Sequence, residues 1–323
     1  MFREKIKVLD CTIRDGGLIN NHNFPDQLVR AVYQALSLAG VDYMEIGYKN
    51  SRKLFPGKQF GKWKFCDDED IKKVIDGIES NTKLSVMVDV GRVDPAEVKP
   101  CAESPVSMVR VATYVKDVDK AIFLANQFAE KGYETAINIM AISKALDHEL
   151  TEALNQLEKE SRAQVINIVD SYGSLYQESV EFLVKKAKAI IKTKEIGIHT
   201  HNNQQLAFSN TIEAVIHGAN FLDCTVYGIG RGAGNCPLEL LLGFLKNPKY
   251  NIRPVLDLIA KEMVPLREKI EWGYIIPYAI TGMLNLHPRS AIALREGPNK
   301  ENYREFYESL VAQDEAWHVF ATI

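Results

Sequence analysis

Short aliphatic and β-branched runs alternate along most of this chain with longer segments whose apolar residues recur every three or four positions. The first kind predicts strands near residues 6–12, 41–47, 84–89, 107–112, 134–140, 165–170, 195–201 and 221–227. The second predicts helices near 25–39, 68–78, 117–131, 147–160, 177–192 and 204–217. In the first helix Pro25 suits the opening turn, Leu28, Val32, Leu36 and Ala39 share a face, and Gly40 ends the element. Gly132 and Gly218 mark two further helix ends. The stretch after the third strand carries Pro95, Pro100 and Pro105, which leaves no room for a full helix. Repeated β/α units over about 245 residues predict an α/β fold, a TIM (β/α)8 barrel, with a doubly wound open sheet as the alternative.

Beyond residue 245 the rhythm changes. Residues 252–270 and 300–312 read as helices around an aromatic stretch, Trp272 to Tyr278. The expected organisation is a barrel over 1–245 and a small helical extension over 246–323, packed on the barrel or on a second subunit. The insert Tyr48–Phe65 follows the second strand, so it is expected at the carboxyl face as a mobile loop or lid, with its lysines around Lys58–Lys64 solvated or attracting an anion.

Composition narrows the class only slightly. The apolar fraction of 46% and charged fraction of 25% over 323 residues are those of an ordinary globular protein. A net charge of -3 gives no reason to expect nucleic acid or an anionic membrane as partner. The chain opens without an apolar signal segment and holds no run of about 18 apolar residues, so a cytoplasmic location is expected. Five scattered cysteines without CxxC spacing read as reduced thiols.

Chemistry gathers at the ends of the expected strands. Val8–Ile13 delivers Arg14 and Asp15, and Ile196–Ile198 delivers His199 and His201, which share one side because strand residues two apart do. Two imidazoles and a carboxylate can bind a divalent metal and leave positions open for substrate. Glu45, Asp89, Arg92, Arg110, Thr113, Asn138, Asp170, Ser171 and Asn202 fall at the same ends. Of these, Glu45, Asp89 and Arg110 are expected as supporting polar partners rather than catalysts. After the eighth strand, Tyr227–Glu239 holds four glycines, Gly228, Gly230, Gly232 and Gly234, which let backbone approach a ligand closely and lead into a helix start that offers N–H groups to an anion. Cys236 is expected to pack in that helix start.

Three segments carry a family resemblance: Leu9-Asp10-Cys11-Thr12-Ile13-Arg14-Asp15-Gly16, Ile198-His199-Thr200-His201-Asn202, and Gly228 to Glu239. Together they resemble the DRE-TIM metallolyases (the HMG-CoA lyase-like superfamily), and Val169-Asp170-Ser171-Tyr172-Gly173 with Ile280-Thr281-Gly282-Met283 points to the 4-hydroxy-2-oxovalerate aldolase branch. The resemblance implies a metal-dependent aldolase, a carbon–carbon lyase that cleaves a pyruvate-derived 2-oxo acid from an aldehyde or joins the two. It implies Asp15, His199 and His201 as ligands of Mn2+ or Mg2+, with Co2+ or Zn2+ as further candidates, and Asn235 as a fourth contributor. It places Arg14 beside the ketone oxygen and Ser171 at the carboxylate, with Gly232 and Gly234 at the substrate. A homo-oligomer, and an acylating aldehyde dehydrogenase as partner, are also implied.

Two positions depart from that pattern. Leu18 stands where those aldolases keep a proton-shuttling histidine, and Leu284 stands near the place of a C-terminal tyrosine. His22 is then the nearest replacement base and His287 another, and a different aldehyde partner is expected. The alternatives are a Claisen-type enzyme using an acyl-CoA and a barrel partner protein without chemistry of its own.

Overall fold

The computed structural model describes residues 4–55 and 59–320, with side chains to residue 313. Eight parallel strands close into a barrel in chain order: β1 Lys7–Asp10, β2 Tyr43–Tyr48, β3 Lys83–Asp89, β4 Met108–Thr113, β5 Glu134–Ile139, β6 Val165–Asp170, β7 Glu195–Thr200 and β8 Phe221–Cys224. Closure is direct, with Lys7 to Asp10 of β1 in register with Phe221 to Cys224 of β8. This is the TIM barrel, and closure excludes the open sheet. The helices are α1 Thr12–Gly16, α2 Asp26–Ala39, α3 Asp68–Ile75, α4 Val118–Glu130, α5 Asp147–Glu160, α6 Gln177–Ile190, α7 Ala207–Ile216, α8 Leu238–Leu245, α9 Arg253–Leu258, α10 Val264–Arg267, α11 Ile276–Met283, α12 Arg289–Glu296 and α13 Tyr303–Phe320. A π-helical turn, Ile259–Met263, joins α9 to α10.

The core lies between strands and helices. Val8, Ile46, Val86, Val109, Ile137, Ile166, Ile198 and Leu222 point outward from the strands onto the apolar faces of the helices. In α2 that face is Leu28, Val32, Leu36 and Ala39, and Gly40 closes the helix at φ 72, as the spacing predicts. After β3 there are only short turns at Pro95–Glu97 and Cys101–Glu103, as the prolines require.

One element differs in a way that sets up the site. The run Val8–Ile13 is not a single strand. The Asp10 carboxylate accepts from the Thr12 backbone N–H at 3.0 Å and from its hydroxyl at 2.6 Å, which turns the chain and starts α1. Thr12 Oγ1 in turn accepts from the Val226 N–H at 2.8 Å, tying this turn to the loop after β8. Arg14 and Asp15 therefore sit on a buried helical turn above the barrel, fixed more firmly than loop residues would be.

The C-terminal helices form a second, smaller core of Tyr278, Ile280, Ala291, Phe306 and Leu310, which includes Ala233 of the glycine-rich loop. Asn203, just after β7, donates to the Tyr278 carbonyl at 3.2 Å. The extension thus braces the loops that follow β7 and β8. No helix among the described residues is long and apolar enough to cross a membrane.

Candidate active site

At the carboxyl mouth of the barrel, Asp15 from α1 meets His199 from β7 and His201 just beyond it. All three are buried, and their ligating atoms lie within 4.8 Å of one another. The Nε2 atoms of His199 and His201 stand 3.7 and 4.0 Å from Asp15 Oδ2. Nδ1 of His199 instead faces Asp223 Oδ2 at 3.0 Å. A carboxylate behind one ring nitrogen fixes the tautomer and directs the other nitrogen forward, the arrangement that orients metal-binding imidazoles.

Behind this trio runs a buried ion chain. Arg14 pairs with Asp15 and, at 2.6 Å, with Glu45 Oε2. Arg110 bridges Glu45 at 3.2 Å and Asp223 at 2.6 Å with no solvent exposure at all. Three carboxylates, Asp15, Glu45 and Asp223, thus face two guanidiniums in this chain of ion pairs. Burial alone would raise the Asp15 pKa, but Arg14 and then the histidines hold its carboxyl well below the usual carboxylate range. Burial pushes the His201 pKa well down, so its ring is neutral with a lone pair available. A second grouping, Cys11, His199 and Asp223, lies lower in the barrel. It suits a cation poorly, because burial pushes the Cys11 thiol well up and Asp223 is committed to Arg110.

The trio opens on a cavity of about 70 Å³ lined by Arg14, Asp15, Leu18, Tyr48, Met87, Ala112, Asn138, Met140, Val169, Ser171, His199, His201 and Arg231. One side is charged and the facing side apolar. Tyr48, Met87 and Ala112 form that apolar wall, with Leu18 and Met140 against them. Larger hollows exist outside the mouth, such as one of about 400 Å³ beside Lys49, Arg52 and Lys53. There the cations already pair with Asp68, Asp67 and Glu97, so no charge converges on the space.

The remaining expected residues divide. Ser171 lines the cavity, and its hydroxyl oxygen accepts from the Ala141 N–H at 2.8 Å, leaving its own proton to donate. Asn235 bridges His201 across a two-residue pairing; its Nδ2 donates to the Ile229 carbonyl at 3.1 Å, while Oδ1 is buried without a partner among the described residues. Gly232 and Gly234 do not line the cavity, a correction to the expected ligand contact. At φ 61 and φ 80 they close the loop on itself: a Cβ at Gly232 would stand 3.1 Å from the Tyr278 ring and one at Gly234 would stand 2.0 Å from the Gly228 carbonyl. At the start of α8 the Leu238 N–H goes to the Thr225 carbonyl, and the Glu239 carboxylate accepts the Tyr227 N–H. Cys236 packs there, fully buried.

His22 is buried against the edge of Tyr48, with ring centroids 5.4 Å apart, and is not part of the cavity wall. Burial, then Lys64 and Arg14, lower its pKa from 6.5 to about 3. At that value it is a poor base at neutral pH. It also makes a stability prediction. The unfolded chain protonates this imidazole below about pH 6.5 and the folded chain only near 3, so acidification through that window should destabilise the protein. The difference in urea midpoint between pH 7.5 and 4.5 should shrink in His22→Gln; an unchanged difference would refute the assignment. His287, half-buried beside Tyr172, accepts the Arg289 N–H on Nδ1 and lies outside the cavity.

Other expected partners are accounted for by the frame. Arg110 lies within β4, inside the barrel, rather than past its end. Asp170 receives the Ser174 and Leu175 N–H groups and shapes the next loop. Thr113 and Asn202 likewise bond local backbone. Lys64 is buried rather than solvated, and Lys58 lies outside the described residues.

Two functional groups escaped the sequence reading. Arg231 turns its backbone N–H to Asp15 Oδ1 at 3.0 Å and its guanidinium to the Ser171 carbonyl at 2.8 Å, on the cavity wall, with Nε unpartnered. A lone cation between Gly230 and Gly232 was the available signal. Asp223 was the other, a charge inside the apolar run Phe221–Cys224. Gly230 shows how tight the site is: a Cβ there would lie 2.1 Å from Asn235 Nδ2 and 2.8 Å from Asp15 Oδ1. Gly230→Ala should lower turnover roughly 100-fold by displacing Asp15, with the fold retained by circular dichroism. Wild-type turnover in that variant would contradict the geometry.

The sequence model of the HMGL-like family matches residues 5–261. The chain belongs to the HMGL-like family. Within it, a 4-hydroxy-2-oxovalerate aldolase from Thermus thermophilus is 29% identical over 284 residues, covering 84% of this chain and 81% of that protein. One of the same name from Moorella thermoacetica is 30% identical over 251 residues, covering 77% and 73%. Among solved structures, the N-terminal domain of a provisionally named aldolase from Bacteroides vulgatus superposes with a TM-score of 0.76 at 29% identity, over 89% of this chain and 96% of that one. Hydroxymethylglutaryl-CoA lyase from Pseudomonas aeruginosa shares the fold with a TM-score of 0.65 at 17% identity, over 82% and 94%. For an HMGL-like chain, the position of the trio at the carboxyl mouth of the barrel is the placement that this architecture favours for chemistry.

Proposed function

We propose that this chain is a divalent-metal-dependent aldolase, a carbon–carbon lyase working through the enolate of a 2-oxo acid, in cleavage or in its reverse. The observation that carries the reading is the convergence of Asp15, His199 and His201 beside Arg14 in one small cavity. The names of the HMGL-like relatives support it.

Asp15, His199 and His201 would hold the cation, with the unpartnered Oδ1 of Asn235 as a fourth donor. A donor set of nitrogens and oxygens suits Mn2+ or Mg2+, and admits Co2+ or Zn2+. When bound, the metal supplies Lewis acidity at the 2-oxo carbonyl, an effect of several kcal/mol on developing negative charge. Arg14, fixed by Glu45 and Asp15, offers a second positive charge to the same oxygen without having to reorganise. Arg231 and the Ser171 hydroxyl are placed to receive the substrate carboxylate. The apolar wall of Leu18, Met87 and Met140 then receives the aldehyde half, and Leu18 in the place of the expected histidine supports a different aldehyde partner. We assign residues 1–245 to the barrel and 246–323 to an extension bracing the loops after β7 and β8.

The reading is tested by following pyruvate release from 4-hydroxy-2-oxopentanoate and its longer-chain homologues. Release should stop with EDTA and return on adding Mn2+ or Mg2+. Release indifferent to chelation would refute metal dependence.

A further inference from the structure

Strand β2 reads Tyr43-Met44-Glu45-Ile46-Gly47-Tyr48. Glu45 faces the barrel interior, where it meets Arg14 and Arg110, and Ile46 faces the helices. Strict alternation would put Gly47 inside and Tyr48 outside. The register with β3 shows otherwise: Glu45 pairs with Ser85 and Tyr48 with Met87, three residues against two. A bulge has inserted one residue and turned Tyr48 inward. Gly47 is what permits it, because a Cβ there would stand 2.1 Å from the Trp63 carbonyl and 2.6 Å from Cys66 Sγ. Tyr48 consequently packs on Met87 and Ala112 and lines the cavity opposite the metal-binding trio.

Its surroundings are equally specific. The Lys64 ammonium lies 4.6 Å from the Tyr48 ring centroid and is enclosed by Phe55 and Phe60 at 5.1 and 5.5 Å. Lys64 is buried, and the Asp89 carboxylate acts on it electrostatically. Three aromatic faces around one ammonium hold its charge against the Tyr48 ring. The Tyr48 hydroxyl makes no hydrogen bond to any described residue, although the ring is buried on all other sides. Burial, opposed by Arg14, pushes the Tyr48 pKa up, so the phenol carries its proton at neutral pH.

We propose that Tyr48 is a further catalytic residue, the proton donor to the aldehyde oxygen, filling the role left open where Leu18 stands. The inference rests on the aldolase reading. In condensation the enolate carbon's electron pair forms the new C–C bond and the carbonyl π pair moves to the aldehyde oxygen. That oxygen takes the Tyr48 proton, and the phenolate regains one from water. Cleavage runs the same steps backwards: hydroxide first takes the Tyr48 proton, the phenolate removes the substrate hydroxyl proton, the C–C pair returns to the enolate, and a proton from water completes pyruvate and restores the hydroxide. Lys64 is a positioning residue whose charge stabilises the transient phenolate through the ring face.

The test uses the full chain with Mn2+, pyruvate and propanal as probes, and compares Tyr48→Phe with wild type. Deuterium exchange into the pyruvate methyl group should persist within about threefold, because it needs no aldehyde. Binding of oxalate to the Mn2+-loaded protein, measured by titration calorimetry, should be unchanged. Condensation should fall about 100-fold or more, as loss of a general acid does. Lys64→Met should lower condensation about tenfold through kcat with exchange again preserved. Condensation at the wild-type rate in Tyr48→Phe overturns the proposal, as does an equal loss of exchange, condensation and oxalate binding, which marks a purely structural role. Absence of exchange in the wild type overturns the aldolase reading itself, and this inference with it.

Discussion

Asp15→Asn should lower metal-dependent turnover by about three decades or more, since in the proposed reading Asp15 is a charged ligand of a centre that supplies several kcal/mol. Four groups converge on this carboxylate: the Arg14 guanidinium, the Arg231 N–H at 3.0 Å, and the Nε2 atoms of His199 and His201. The amide keeps the shape but loses the negative charge and half the acceptor capacity. Arg14 keeps Glu45 as a partner, so the fold should survive. Manganese affinity, measured by titration calorimetry, should fall with turnover. A variant that turned over normally, or bound the ion as tightly as wild type, would show that the cation sits elsewhere.

Arg110→Met should destabilise the protein by about 3–5 kcal/mol, the scale seen when one member of a buried ion network is removed. Arg110 is wholly enclosed between Glu45 and Asp223. Without it, among the described residues, Asp223 loses its one guanidinium partner and Glu45 keeps Arg14. The urea midpoint measures the loss, and adding Asp223→Asn should recover part of it by removing the stranded charge. Metal affinity should drop a further 10- to 100-fold in Arg110→Met, because Asp223 orients His199. Unchanged stability would mean that the chain of charges is not coupled as its geometry indicates.

Much of the barrel is legible in the sequence. Apolar runs at regular spacing place the strands to within a few residues, because parallel strands are buried on both faces and read as continuous aliphatic stretches. His199 and His201 are found by strand periodicity. Other features need tertiary knowledge. Asp10 breaks the first strand through its own side-chain hydrogen bonds, which a purely apolar count of Val8–Ile13 ignores. Tyr48 is predicted as the start of a loop, since a bulge breaks the alternation on which the prediction depends. Lys64 reads as solvated because no local pattern shows three aromatic rings folding over it. Gly232 and Gly234 read as ligand contacts, although their positive φ serves the closure of the loop, and the residue between the flanking glycines, Arg231, is the one that reaches the cavity. Spacing identifies which groups can meet; it does not show which of them face the substrate.

The central claim is that Asp15, His199 and His201 hold a divalent cation that makes a 2-oxo acid enolisable. Proton NMR of the pyruvate methyl signal in D2O tests it most directly, since it requires neither the aldehyde nor a known direction of reaction. The signal should decay with Mn2+ or Mg2+ present, and persist with EDTA, in Asp15→Asn and in His199→Ala. A methyl signal that persists in the wild type with every divalent metal tried would contradict the account.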